Sequence, residues 1–242
     1  MKNYLVIGLG IFGDNLATSL FRSGQDVMVI DKNQGKINRI IDQVSVAYCG
    51  DATDELFLNG VSLESVDIAI VTIGEDERSS LLVTHYLLEA KVPYVLAKAN
   101  SFRHGSILHR LGVHQIIYPE ISSADNLCQL LVMENITRLI SISSEQVVAI
   151  YQCPGEMIGQ KIKHIQKKLD SSDLFFAGIQ RSQFHVSNEA ISKMEHIFIS
   201  IHESETVILE KDQLVLLGNK RELELQLLKS AEENTNSLNR AE

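Results

Sequence analysis

Residues Gly8-Leu9-Gly10-Ile11-Phe12-Gly13 set three glycines at the spacing of a turn that can receive a diphosphate. Each glycine has its own task there: Gly8 permits the sharp reversal, Gly10 lets phosphate approach the backbone, and Gly13 lets the next helix pack close to the preceding strand. The helix start then offers free N–H groups and partial positive charge to an anion. Spacing alone is a weak signal, because glycines recur in many turns. The context is stronger, since Tyr4-Leu5-Val6-Ile7 is a short apolar run of the kind buried on both faces of a parallel sheet. Asp31 closes the next such run, Val27 to Ile30, where an acidic side chain would accept from the hydroxyls of an adenosine ribose and disfavour a 2′-phosphate.

A second cluster, Gly50-Asp51-Ala52-Thr53, follows a third apolar run. Loops at the carboxyl ends of such strands line the ligand crevice of a doubly wound sheet, so Asp51 is expected at the adenine edge. It could equally cap a short helix from Asp54 to Leu58, and the two roles are compatible. Ile73-Gly74 falls in the same crevice. A nicotinamide dehydrogenase would also need a proton donor or acceptor beside its substrate. The eight histidines are scattered without HxxxH or HxxEH spacing, no nucleophile elbow is present, and most of the histidines read as surface or half-buried side chains. The residues describe a binding cleft without a catalytic apparatus. Lys161, Lys163, His164, Lys167 and Lys168 concentrate positive charge, as a solvated helix face or as a site for an anionic ligand or acidic partner.

These residues need a framework, and the first 120 positions supply alternating strand and helix patterns. Strands are expected at Tyr4–Ile7, Val27–Ile30, Val44–Tyr48, Ile68–Ile73, Tyr94–Ala97 and Gln115–Tyr118, with helices between them. Connections this short imply right-handed crossovers and a doubly wound parallel sheet. After Pro119 a helix is expected to run to about Leu139, apolar on more than one face, as a crossover arm into a second subunit or domain. Ser141 to Ser144 read as a linker. From Val147 the texture is a smaller α+β domain, with a helix over Gln160–Leu169, further strands at Leu174–Gln180, Ile197–Ile201 and Leu214–Leu217, a closing helix Glu222–Leu228 and a frayed polar tail over 231–242. The expected domains are 1–140 and 145–230.

Composition narrows the function further. Of 242 residues 45% are hydrophobic, which excludes disorder over most of the length. The net charge of −9 is shared by both halves, so neither resembles a nucleic-acid-binding domain, and no helix-turn-helix pattern supports a transcriptional regulator. Cys49, Cys128 and Cys153 form no CxxC or His-spaced pattern and read as small core side chains in a reducing compartment. No run approaches the roughly 20 apolar residues of a membrane span. The expectation is a soluble cytoplasmic chain whose contact with the membrane goes through a partner.

The runs YLVIGLGIFG at 4–13, CGDATDE at 49–55, VTIGED at 71–76, VLAKAN at 95–100 and LGVHQIIYPE at 111–120, with Asp31, together resemble the RCK or KTN domain. This is the nucleotide-binding regulatory domain of Trk- and Ktr-type bacterial potassium transporters and related channels. The likeness covers about residues 1–140. IGQKIKHI, FFAGIQR and EKDQLVLLG resemble the companion domain of that family more loosely, and residues 187–204 are longer than its usual turn. The resemblance implies a Rossmann-like sheet with a crossover helix and a smaller α+β domain, no enzymatic turnover, and a homo-oligomer, from dimer to octameric ring, that gates a membrane potassium transporter or channel from the cytoplasmic face. It implies a site for an adenine nucleotide, ATP, ADP or NAD(H), built from Gly8, Gly10, Ile11, Phe12, Gly13, Asp31, Lys32, Gly50, Asp51, Ala52, Thr72, Ile73, Gly74 and Lys98. It also implies a divalent cation at Glu120 between subunits and admits cyclic di-AMP in the second domain. Ile11 stands where many ATP-responsive relatives carry a basic residue, which leaves ADP or NAD(H) at least as expected as ATP. The alternative reading is a small NAD-dependent oxidoreductase.

Overall fold

The computed structural model describes residues 1–133, 135–169, 174–186 and 192–223. The chain divides into two compact units, Met1–Ser122 and Ser123–Glu242.

In the first unit the strands β1 (Asn3–Ile7), β2 (Asp26–Asp31), β3 (Val46–Cys49), β4 (Ile68–Val71), β5 (Tyr94–Lys98) and β6 (Gln115–Ile117) form one sheet in the order β3-β2-β1-β4-β5-β6. Every neighbouring pair is parallel, with Ile7 opposite Ile30 on one side and Val71 on the other. β1 is central because Leu5, Val6 and Ile7 are all fully buried, and only a strand covered on both faces can bury successive residues. Leu5 and Ile7 join a core with Ala69, Val71, Val83 and Leu87. Val6 points the other way, into a second core with Val27, Val29, Ile37 and Ile40. Each such side chain contributes about 1.5–3 kcal/mol through removal from water.

Helices α1 (Ile11–Arg22), α2 (Gln34–Ile40), α3 (Glu55–Asn59), α4 (Glu77–Glu89) and α5 (Phe102–Leu111) connect the strands. The side chains of Asn33, Asp54, Asp76 and Ser101 cap α2 to α5 by accepting backbone N–H groups. α1 differs: Gly10 stands at its cap position, and no side chain serves its first N–H groups. The chain winds outward through β2 and β3, then returns across β1 to β4, β5 and β6. The carboxyl ends of β1 and β4 therefore border the crevice that this reversal opens.

α6 (Pro119–Val132) carries the chain from the first unit into the second, and it ends seven residues short of the expected Leu139. The next residues form β7 (Ile136–Ser141), a hairpin with β8 (Gln146–Gln152). The expected linker at Ser141–Ser144 is thus the tip of a hairpin, where Ile142 and Ser143 donate to the Gln146 carbonyl. Ile136-Thr137-Arg138-Leu139-Ile140 is rich in β-branched residues, and pairing with β8 overrides the helical spacing that its leucine and isoleucines also satisfy. β9 (Leu174–Val186), β10 (Ser192–Ser200) and β11 (Gln213–Asn219) complete an antiparallel sheet in the order β10-β9-β11-β8-β7, with α7 (Ile162–Leu169) among its core-forming elements. Much of the 187–204 segment is therefore strand, because β10 pairs with β9 along its length. The expected closing helix is described only at Glu222 and Leu223, and the expected tail lies outside the described residues.

One further expectation needs correction. Only Cys153 of the three cysteines is buried, while Cys49 and Cys128 are exposed. His104, fully buried in α5, is an exception to the reading of most histidines as surface or half-buried, and burial lowers its pKa although Glu77 opposes the shift. In the lysine cluster, Lys161 and Lys163 both pair with Glu205, at 2.6 and 2.5 Å.

Candidate functional site

At the glycine turn, Gly8 has φ +100°, the left-handed region that side chains disfavour. A Cβ on Gly13 would overlap the carbonyl oxygen of Gly8 and lie 2.5 Å from the Thr72 hydroxyl. A Cβ on Gly10 would meet nothing within 4 Å. The three glycines thus separate into two that the fold requires and one that faces open space at an uncapped helix start. Open backbone with free N–H groups is what an incoming diphosphate needs.

Asp31 ends β2 and is only 8% exposed. Its carboxylate accepts from Leu9 N–H at 2.6 Å, from Asn33 N–H at 2.8 Å and from Lys36 Nζ at 3.3 Å. Before any ligand is considered, Asp31 ties the glycine turn to β2 and to the start of α2. A carboxylate offers about four acceptor positions, so one is left for a ribose hydroxyl. Lys36 also tempers the negative charge on which rejection of a 2′-phosphate was expected to rest.

From β4, the buried Thr72 hydroxyl lies 3.0 Å from the Ile7 carbonyl and 2.5 Å from that of Gly8, pinning the turn from the other side. After β3, a Cβ on Gly50 would run into the Phe57 ring, so any larger residue there would have to displace that ring. Asp51 accepts from the Thr53 N–H at 2.9 Å and from the Thr53 hydroxyl at 2.7 Å. These bonds, the backbone one first, hold its carboxyl below the usual carboxylate range. Asp51 is not the cap of α3; Asp54 performs that task.

At the β5 end of the crevice the Lys98 ammonium donates to Glu120 at 2.5 Å. Lys98 is buried, whereas the Glu120 side chain is 66% exposed. The bond from Lys98 keeps the Glu120 carboxyl below its ordinary range. Glu120 was expected to hold a divalent cation, but within one chain its partner is an ammonium. Among the described residues no group of three or more metal-ligating side chains is found. The donor set of a single chain does not fit a metal here.

All of the sequence-derived candidates except Gly13 line one cleft of about 660 Å³, a size suited to a nucleotide. Gly13 lies beneath the turn. The cleft also takes in Lys36, Glu75, Asp76, Ser79 and Asn100, which sequence reasoning missed. Asp76 and Ser79 carried a signal, the capping spacing that starts α4, but capping says nothing about facing a cleft. Lys36 stands one turn into α2 and gave no signal of its pairing with Asp31.

The sequence pattern of the TrkA-N domain matches residues 4–119. The likeness covers just under half of the chain. The matched segment takes in the six-stranded parallel sheet and ends at Pro119, so it contains the whole cleft lining except Glu120. Over both units the chain is similar to Ktr system potassium uptake protein A of Bacillus subtilis (strain 168), 29% identical over 222 residues, 92% of this chain and 94% of that protein. It is also similar to Ktr system potassium uptake protein C of the same organism, 28% identical over 218 residues, 90% of this chain and 92% of that protein. Among solved structures it shares its fold with the GsuK RCK domain, with a TM-score of 0.59 at 17% identity over 92% of this chain and 46% of that one. The GsuK channel bound to NAD gives a TM-score of 0.57 at 16% identity, over 92% and 38%. This chain therefore spans less than half the length of those two solved chains.

Proposed function

We propose that this chain is a regulatory subunit of a potassium uptake system, whose TrkA-N domain binds an adenine nucleotide and thereby biases the gating of a membrane partner. The observation that carries the reading is the similarity to Ktr system proteins A and C across both units, beyond the part that any Rossmann-like protein would share. The cleft supplies the physical means. Gly10 to Phe12 receive the phosphates, Asp31 takes the adenosine ribose, and the loop at Gly50–Ala52 flanks the base. ADP and NAD(H) are the favoured ligands, because Ile11 puts no charge beside the phosphates; a dinucleotide also suits the fold shared with the NAD-bound GsuK channel.

Such a protein acts by binding rather than by turnover. A nucleotide shifts a gating equilibrium only by the difference in its affinity for the two states. Homo-oligomerisation belongs to the same proposal, since a ring converts small differences per protomer into one larger shift. So does a cytoplasmic location beside the membrane; no helix among the described residues is long and apolar enough to cross one. The test is potassium uptake in cells that lack their own uptake systems and carry a Ktr-type membrane transporter from the organism that makes this chain. Uptake should require the chain and should lose its nucleotide dependence in Asp31→Ala. Uptake indifferent to the chain, or steady nicotinamide oxidation by the purified protein, would overturn the reading.

A further inference from the structure

Each end of the cleft holds a carboxylate already paired with an ammonium. At the β2 end Asp31 is already met by Leu9, Asn33 and Lys36. At the β5 end stand Lys98 and Glu120, on the far side of the β1/β4 reversal. The Lys98 ammonium lies 3.3 Å from the place of a Cβ on Gly74, so the buried lysine reaches over the loop that follows β4. Its bond to Glu120 makes that end of the cleft neutral, with a carboxylate as the outer member.

We propose that the Lys98–Glu120 pair sets the length of phosphate chain the cleft accepts, admitting a nucleoside diphosphate or a dinucleotide and disfavouring a free triphosphate. This rests on the nucleotide site proposed above. With an adenosine held at Asp31 and its first phosphates at the Gly10–Phe12 amides, the rest of the ligand extends toward β4 and β5. A third phosphate would there meet the Glu120 carboxylate, or would have to take Lys98 from it. The first course sets two anions side by side, and the second breaks a charge-assisted bond. The apolar Ile11 offers no compensating cation. The second ribose of a dinucleotide carries hydroxyls that donate to Glu120 and accept from Lys98 without a clash of charge. Glu120 is thereby a specificity residue through its hold on Lys98.

Calorimetric titration with ATP, ADP and NADH near neutral pH, in EDTA so that metal-chelated ATP does not enter, tests this on the wild type, Glu120→Gln and Lys98→Met. The wild type should bind ADP or NADH about tenfold more tightly than ATP, the scale of one partly screened charge-assisted bond. Glu120→Gln frees the ammonium and should bring ATP to within about threefold of ADP, while ADP itself changes less than about twofold. Lys98→Met leaves the carboxylate uncompensated and should weaken ATP most. The Glu120 side chain is largely exposed, so Glu120→Gln should melt as the wild type does. A wild type that binds ATP as tightly as ADP, or a Glu120→Gln protein with an unchanged ATP-to-ADP ratio, overturns the proposal and leaves the nucleotide site standing. A wild type that binds none of the three overturns the nucleotide reading itself.

Discussion

The Asp31 carboxylate accepts the N–H of Leu9 at 2.6 Å, across 22 positions of sequence, so the residue assigned to the ribose is also the residue that positions the glycine turn. In the proposed reading, ligand and turn meet at one buried side chain. A substitution there should change the empty protein as well as its affinity. Asp31→Ala leaves the Leu9 and Asn33 N–H groups without their acceptor and should destabilise the first unit by about 1–3 kcal/mol. Asp31→Asn keeps one acceptor oxygen and should fall between that and the wild type. Denaturant unfolding measures the cost, and titration with ADP or NADH measures affinity on the folded fraction.

The glycines of the turn separate stability from binding. Gly10→Ala enters open space and should leave the melting temperature within a few degrees of wild type while lowering nucleotide affinity about tenfold or more, because the methyl group occupies ground the diphosphate needs. Gly13→Ala drives a methyl into the Gly8 carbonyl and should destabilise by more than about 2 kcal/mol. Equal melting of the two variants would contradict this division.

Glu205 gives a pH dependence to the second unit. Lys161 first and Lys163 next hold its carboxyl down to about 2, against an ordinary value of 4.5. A carboxyl lowered by folding favours the folded state above its unfolded pKa, and that contribution is lost as pH falls through the folded value. Glu205 is exposed and its two lysines are only partly covered, so water screens the cluster and the effect is small and salt-sensitive. Titration followed by carboxyl NMR shifts should place the Glu205 midpoint well below those of unpaired glutamates. In the Lys161→Gln, Lys163→Gln double variant it should return toward 4.5.

The cysteines should react at two rates. Burial first, and the Asp212 charge second, push the Cys153 thiol up to about 11, so little thiolate is available at neutral pH. Cys49 and Cys128 are exposed. A disulfide reagent at mildly alkaline pH should modify two thiols quickly in the native protein and the third only on unfolding. Rapid modification of all three would show that the core around Cys153 opens readily.

What could be read directly from residue order was the stretch from β1 to Asp31. Its information is local: an apolar run buried on two faces, a glycine needing positive φ, an uncapped helix start and an acidic residue at the next strand end. The alternation of strands and helices was legible for the same reason, since period and punctuation act within a few residues. The exchange of helix for β7 at Ile136–Ser141 shows where that ends. Leucine and isoleucine satisfied helical spacing there, and only the pairing partner β8 decided between the two.

Asp31 with Leu9, Thr72 with Gly8, Lys98 with Glu120 and Arg181 with Asp212 are separated by 22, 64, 22 and 31 positions. No periodicity carries such pairs, because each depends on how the sheet brings strand ends together. The sequence by itself therefore marked where the cleft lies and most of the residues that border it. The tertiary structure decided which of them are already engaged. Gly13, Gly50 and Thr72 hold the turn and its surroundings, Gly10 is left open, and Glu120 faces a lysine of its own chain where a cation had been expected, because side-chain bonding in a crevice is set by three-dimensional proximity.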